Sequence, residues 1–166
     1  MTHRDQSQEL GVEVSRSAVR GFSATRLRRY RQARKATIED LADAAGVSAQ
    51  AVSAWETGRA APTPELLAKV AAELRLTVAD LVPIPTDQLG LSDLRVQAGL
   101  TQASAAQQLG VSATLLGRIE KGRKDYEDER ADQLAELYGV TKELVTKAWE
   151  LDRANMKARA KRFRDS

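Results

Sequence analysis

The stretch TIEDLADAAGVSAQAVSAWETGR, residues 37–59, decides the fold of this chain. Thr37 can cap a first short helix, because Asp40 stands three residues later at the spacing of a reciprocal capping pair. Gly46 can adopt the left-handed backbone that ends this helix, and Ser48 can cap a second one. Apolar residues occupy the inward positions at helical spacing: Leu41, Ala42, Ala45, Val52 and Trp55. The stretch therefore predicts a helix-turn-helix whose tryptophan lies in the core.

The same pattern returns in residues 101–123. The residues identical to their counterparts in the first copy are Thr101, Ala106, Gly110, Val111, Ser112, Ala113, Glu120, Gly122 and Arg123. Inward positions stay apolar, since Leu116 replaces Val52 and Ile119 replaces Trp55. We interpret the chain as two tandem copies of one small helical domain, because the repeat is longer than solenoid units. In a helix-turn-helix the second helix is the one that enters the DNA major groove.

Composition predicts an all-α protein with two thin cores. The chain has 166 residues, a net charge of +3, few aromatic residues and no cysteine, which excludes disulfides and thiolate metal sites. No stretch approaches the roughly 18 apolar residues of a membrane span, and the first residues lack a signal-peptide core, so we expect a soluble, cytoplasmic protein. His3 is the only histidine, and no catalytic set accompanies it, so we predict neither an enzyme nor a cofactor or metal.

Five segments are expected along the chain. They are a mobile arm (1–21), a first five-helix domain (22–83), a proline-stiffened linker (84–90), a second five-helix domain (91–150) and a basic C-terminal helix or tail (151–166). The remaining predicted helix caps are Ser23, Thr63, Thr77, Ser92 and Ser112. The last helix is predicted to be extended to about Phe163, with Trp149 packed on the domain.

Cations cluster at both ends of this arrangement. Between Arg20 and Lys35 there is no acidic residue, so Arg26 and Arg28 are candidates to bind phosphate, with a solvated face as the alternative. Arg16 and Arg20 of the arm could enter a minor groove, or the arm could be an untethered terminus. The basic C-terminal end is likewise either a solvated tail or a second phosphate-binding element.

The stretch GVSAQAVSAWETGRAAPTPELLAKVAAEL, residues 46–74, closely resembles the Cro/phage-repressor (Xre-type) helix-turn-helix family. The shared features are the Gly-Val turn, the Trp-Glu-x-Gly-Arg segment and a proline before the fourth helix. The resemblance covers residues 22–82 well and residues 91–146 less well. It implies two tandem, lambda-repressor-like DNA-binding domains of five helices each. Members of the family are mostly transcriptional repressors.

The resemblance also implies which residues read bases. In the family these are exposed residues at the start of the third helix. Here they correspond to Ser48, Ala49, Gln50, Ser53 and Ala54 in the first copy and to Ser112, Ala113, Thr114, Gly117 and Arg118 in the second. Gln50 can offer an amide pair to adenine and Arg118 a fork to guanine, whereas Ser48 and Ser112 serve as caps beside the phosphates.

Further candidates to bind the DNA backbone follow from the same resemblance. They are Thr37, Thr57, Arg59, Thr101, Gln102, Lys121, Arg123 and Lys124. The family commonly places Gln at the first residue of the second helix, and the first copy departs from this with Ile38. The second copy departs more sharply, because acidic residues crowd the loop at 125–129. Either these acids point away from the duplex, or the second domain has lost DNA contact.

Two ion pairs are predicted because the repeat keeps both members of each. Arg31 should pair with Glu56, and Arg95 should pair with Glu120, tying the first helix of each domain to the end of its third. In the family such a pair is structural.

The predicted function is that of a sequence-specific transcriptional repressor binding double-stranded DNA, of the phage or mobile-element immunity type, on the nucleoid of a bacterial host. Because the two third helices differ, we expect one chain to read an asymmetric, two-part site as a monomer, with a homodimer as the alternative. Two other functions stay open: an antitoxin, or an adaptor whose second domain binds protein. No small-molecule ligand or membrane is implied.

Overall fold

The structure, a computed structural model, describes residues 19–166. This part of the chain forms ten α-helices and one short 3₁₀ helix, and it contains no β-strand. None of its helices is long and apolar enough to span a membrane. The all-α prediction is confirmed.

The first domain has the five predicted helices. They are α1 (Ala24–Ala33), α2 (Ile38–Ala45), α3 (Ala49–Glu56), α4 (Pro64–Glu73) and α5 (Val78–Leu81). The reciprocal capping pair of Thr37 and Asp40 is present, and Ser48 accepts a hydrogen bond from the Ala51 amide. Gly46 has φ of 67°, the left-handed value that lets the chain turn between α2 and α3.

The second domain repeats this order with a longer last helix. Its helices are α6 (Leu91–Gln97), α7 (Gln102–Leu109), α8 (Ala113–Glu120), α9 (Asp128–Tyr138) and α10 (Lys142–Arg164). The prediction that Ser92 caps α6 is wrong, because that helix begins two residues earlier, after Gly90. Two carboxylates satisfy its first amides instead: Asp93 accepts from Gly90 and Asp152 accepts from Leu91, both at 2.8 Å.

Each domain has its own apolar core. Trp55 is 4% exposed and packs in the first core, as predicted, together with Leu27, Val52, Leu67 and Val70. The fully buried members of the second core are Leu91, Leu94, Leu116, Leu134 and Val145, and Trp149 packs against them.

Both predicted ion pairs are present and largely buried. Arg31 Nε lies 2.6 Å from Glu56 Oε1, and Arg95 Nε lies 2.6 Å from Glu120 Oε1. Each arginine also donates to a backbone carbonyl five residues later, which fixes the turn between the first two helices of its domain. The pairs therefore lock each third helix to its domain.

The two domains contact one another directly. Val96 of α6 belongs to the first core, and Gly99 packs against Ala68 of α4. Ile84 packs against both cores, and Leu89 is buried. The linker predicted at residues 84–90 is folded and includes a 3₁₀ helix at Thr86–Gln88.

An ion pair closes this junction. Arg20 Nε donates to Asp93 Oδ1 at 3.1 Å, and its NH2 group donates to the Gln88 carbonyl oxygen at 2.9 Å. Val19 beside it is buried in the first core. The placement of Arg20 in a mobile arm is therefore wrong, because its side chain is bound to the second domain. Arg16, His3 and the rest of the predicted arm up to residue 18 lie outside the described residues.

Asp152 makes the stability of this junction depend on pH. Burial raises its pKa from 3.8 to about 6, and the carboxylates of Asp93 and Glu120 add to the rise, whereas the hydrogen bond from the Leu91 amide and the charge of Arg20 oppose it. Because the folded state holds this proton more tightly, the contribution of Asp152 to the free energy of unfolding falls as pH rises through that window.

We expect Asp152→Asn to make the free energy of unfolding at pH 7 closer to that at pH 5 than in the wild-type chain. Asparagine keeps an acceptor for the Leu91 amide but carries no charge to desolvate. Urea unfolding at both pH values measures the difference, and Glu150→Gln, at an exposed position on the same helix, is the matched control. Equal pH dependence in the two variants contradicts the expectation.

Candidate nucleic-acid interface

Each third helix presents one narrow exposed stripe. In α3 the stripe consists of the exposed Gln50 and Thr57, with the half-buried Ala54 between them. The opposite side of α3 is buried, with Val52 and Trp55 in the core. Ala49 and Ser53 flank the stripe and are half-buried. A helix fixed in this way can only offer this stripe to a groove.

The stripe of α8 is chemically different. It consists of Thr114, Arg118 and Lys121, all exposed, and Ala113 is exposed beside it. The first stripe offers an amide, a methyl and a hydroxyl group, whereas the second offers a hydroxyl group and two cations. The two helices therefore present different donors and acceptors to base edges.

Gln102 braces α8, the candidate recognition helix of the second domain. Its Nε2 donates to Glu120 Oε2 at 2.9 Å, and its side chain lies over Gly117. A Cβ at that glycine would stand 3.1 Å from Gln102 Nε2, so a larger residue there would press on the amide. Gly117 is buried beneath it and is therefore not available as a base-reading residue. The first domain lacks this brace, because Ile38 packs against its core instead.

The rim of the first stripe is ordered by short polar contacts. The Thr57 hydroxyl donates to the Ser53 carbonyl oxygen at 2.9 Å, and Arg59 Nε donates to the Thr57 hydroxyl oxygen at 3.1 Å. Both side chains are exposed, so the guanidinium is held at the end of α3 with its remaining N–H groups free to meet a phosphate. Thr37 uses its hydroxyl oxygen to accept from the Asp40 amide.

The basic face of α1 is only partly available. Arg26 donates to the Asp80 carbonyl oxygen at 3.2 Å and so ties α1 to the end of α5. Arg31 is held in its buried pair with Glu56. Arg28 is exposed and stays a predicted phosphate contact.

The rim of the second stripe carries two exposed cations, Arg123 and Lys124, which follow Lys121 of the stripe. Thr101 and Ser112 use their hydroxyl oxygens to accept from amides in the first turns of α7 and α8. They thus serve as caps at the start of those helices.

Acids in the loop after α8 and at the start of α9 turn towards α10. Asp125 pairs with Arg153, and Asp128 lies 2.6 Å from Lys142 Nζ. Arg153 also stacks over the Trp149 ring, 5.0 Å from its centroid. Two of the acidic side chains are thus drawn to cations of the protein, which lowers their repulsion towards a phosphate backbone. In the sequence Arg153 is one of several basic residues near the C-terminus, and no local pattern predicts its pairing with Asp125.

One cleft lies between the two domains. Thr63 and Pro64, at the start of α4, line it together with Thr101, Gln102 and Lys121 of the second domain. The loop that follows α3 therefore ends beside the start of α7 and the end of α8. No group of acidic, histidine or cysteine side chains in residues 19–166 could hold a metal ion.

Comparison with known proteins identifies both domains. A family model described as "Helix-turn-helix" matches residues 27–81, and one described as "Helix-turn-helix domain" matches residues 91–148. No curated protein and no solved structure matches the chain. The two matches cover α1 to α5 of the first domain, from Leu27 onward, and α6 through the first part of α10.

Proposed function

Because the chain belongs to the helix-turn-helix family in both of its domains, it is a DNA-binding regulator, and we propose that it represses transcription by occupying a two-part DNA site. The observation that carries the two-part site is the difference between the stripes of α3 and α8, within one chain whose domains are in direct contact. One chain offers two recognition helices, which single-domain relatives obtain by dimerising.

Because the two domains are in contact, the chain can bind DNA with high affinity even if each domain alone binds it weakly. Once one domain is bound, the other is already held near its own half-site, so its effective concentration is high. The two domains pack directly against each other, and Arg20 pairs with Asp93 at their junction. Fewer relative orientations of the two domains are therefore lost when DNA binds. A monomer bound to an asymmetric site is therefore the proposed state, in the bacterial cytoplasm on the nucleoid.

The family's phage repressors suggest phage or mobile-element immunity as the setting. An adaptor role for the second domain is the second candidate, because Glu127 and Glu129 are exposed beside the recognition helix. Selection of bound duplexes from a random library tests the main proposal. Recovery of one consistent asymmetric site supports it, and recovery of random sequences favours the adaptor.

Gln50→Ala and Arg59→Ala should have different effects on DNA binding, the first on base preference and the second on overall affinity. Loss of the Gln50 amide should relax base preference at one or two positions, at about 1 to 3 kcal/mol of discrimination. Loss of the Arg59 guanidinium should weaken binding to all sequences and reduce the salt slope by about one unit.

Titrations of the selected site and of a scrambled duplex over a range of salt concentrations measure both effects. For Gln50→Ala, an equal loss of affinity on the selected and scrambled duplexes removes Gln50 from the base-reading set. For Arg59→Ala, an unchanged salt slope removes Arg59 from the phosphate-binding set.

A further inference from the structure

The C-terminal half of α10 forms a basic surface that is separate from the exposed stripes of α3 and α8. This basic extension, residues 153–164, contains six cations and no acidic residue: Arg153, Lys157, Arg159, Lys161, Arg162 and Arg164. Every side chain from residue 157 onward is exposed. Like charges at helical spacing repel one another, and no acid within the extension offsets this repulsion. An opposing anionic surface would stabilise it.

The extension starts at the end of the second recognition helix. Gly122 follows α8 with φ of 66°, and a Cβ there would lie 2.5 Å from Arg153 Cα, so the two backbones are in direct contact. Since the N-terminal residues of a recognition helix contact bases, its C-terminal end lies towards the edge of the groove and the phosphates. The extension therefore leaves the domain where phosphates are expected.

The two faces of the extension differ in their surroundings. Arg159 and Asn155 line the same cleft as Lys121, the last residue of the exposed stripe of α8. Arg162 follows Arg159 by three residues and lies on the same face of the helix. Lys157 and Lys161 lie on another face, about 100° or more around the helix from Arg159 and Arg162.

We propose that Arg159 and Arg162 bind the phosphates that flank the half-site of the second domain. The inference rests on the proposed DNA-binding function and extends it to a third contact region. DNA is favoured over an acidic protein because Arg159 shares a cleft with Lys121, the last residue of the α8 stripe that is proposed to enter the groove. The extension is about 16 Å long, close to half a DNA helical turn of about 34 Å, so it can cover roughly five base pairs.

Two double variants with the same change in net charge test this assignment. Arg159→Gln/Arg162→Gln removes the proposed contacts, and Lys157→Gln/Lys161→Gln is the matched control on the other face. The probe is a mixed-sequence duplex of about 30 base pairs, roughly three helical turns, titrated with the full chain at several salt concentrations. Since all four side chains are exposed, neither variant should perturb folding, which circular dichroism verifies.

The arginine variant is expected to reduce the slope of log K against log salt by about two units, at about 0.9 per lost phosphate contact, and the lysine variant by less than half as much. Equal reductions in the two variants, or no reduction in either, overturn this inference but leave the proposed DNA-binding function standing. A wild-type chain that shows no salt-dependent binding overturns the proposed function and the inference with it.

Discussion

Glu120→Ala is expected to lower the free energy of unfolding of the second domain by about 3 to 5 kcal/mol. Glu120 is 6% exposed, and its carboxylate accepts hydrogen bonds from Arg95 and from Gln102, at 2.6 and 2.9 Å. Its removal leaves the guanidinium of Arg95 buried without its charge partner. It also releases the amide of Gln102, which braces the second recognition helix. Because the core of the domain is thin, this loss is a large fraction of its stability.

Urea unfolding of the full chain, followed by circular dichroism, measures this effect. Glu136→Ala is the control, since Glu136 is an exposed glutamate on α9. Arg95→Met/Glu120→Leu should recover much of the loss, because replacing both partners with apolar residues leaves no buried charge. A cost below about 1 kcal/mol for Glu120→Ala would place the pair among exposed ion pairs and contradict the buried geometry.

Local signals explain why much of the fold is predictable from the sequence. The caps at Thr37 and Ser48 and the turn at Gly46 each act within a few residues, so they can be read directly. The pair of Arg95 with Glu120 is longer in range, but the repeat shows it twice. The long last helix follows from its continuous helical pattern.

The features that could not be predicted from the sequence depend on contacts between distant segments. The carboxylate that satisfies the Leu91 amide comes from Asp152, 61 residues later, and no local pattern marks it. Arg20 meets Asp93 across 73 residues, and no local pattern distinguishes Arg20 from a residue of a terminal arm. Gly117 aligns with a base-reading position, and only the fold shows that the Gln102 side chain covers it.

Reversing two charges on the second recognition helix should reduce affinity for the selected site by about 10²- to 10⁴-fold, the usual range for losing one of two linked modules. The variant is Arg118→Glu/Lys121→Glu. Both side chains are exposed on the stripe of α8, so folding should be unaffected while DNA contact by the second domain is lost. An isolated first domain is a poorer test, because Val96 of the second domain completes the first core.

The matched control is Lys69→Glu/Lys147→Glu, which makes the same change in net charge at exposed positions away from both stripes. Titration of the selected duplex with each variant at one salt concentration separates the local effect from the overall field of the protein. If the two variants lose the same affinity, the second domain makes no specific contribution. It would then be assigned to dimerisation or to partner binding.

The most direct test of the account is the stoichiometry of the complex on a site obtained by selection from random duplexes. Sedimentation or native mass spectrometry gives the number of chains bound to each duplex, and the selected sequence shows whether the site is symmetric. The account predicts one chain on an asymmetric site whose two parts lie about one helical turn, or roughly 34 Å, apart. A palindromic site occupied by two chains, each bound through α3 alone, would contradict it.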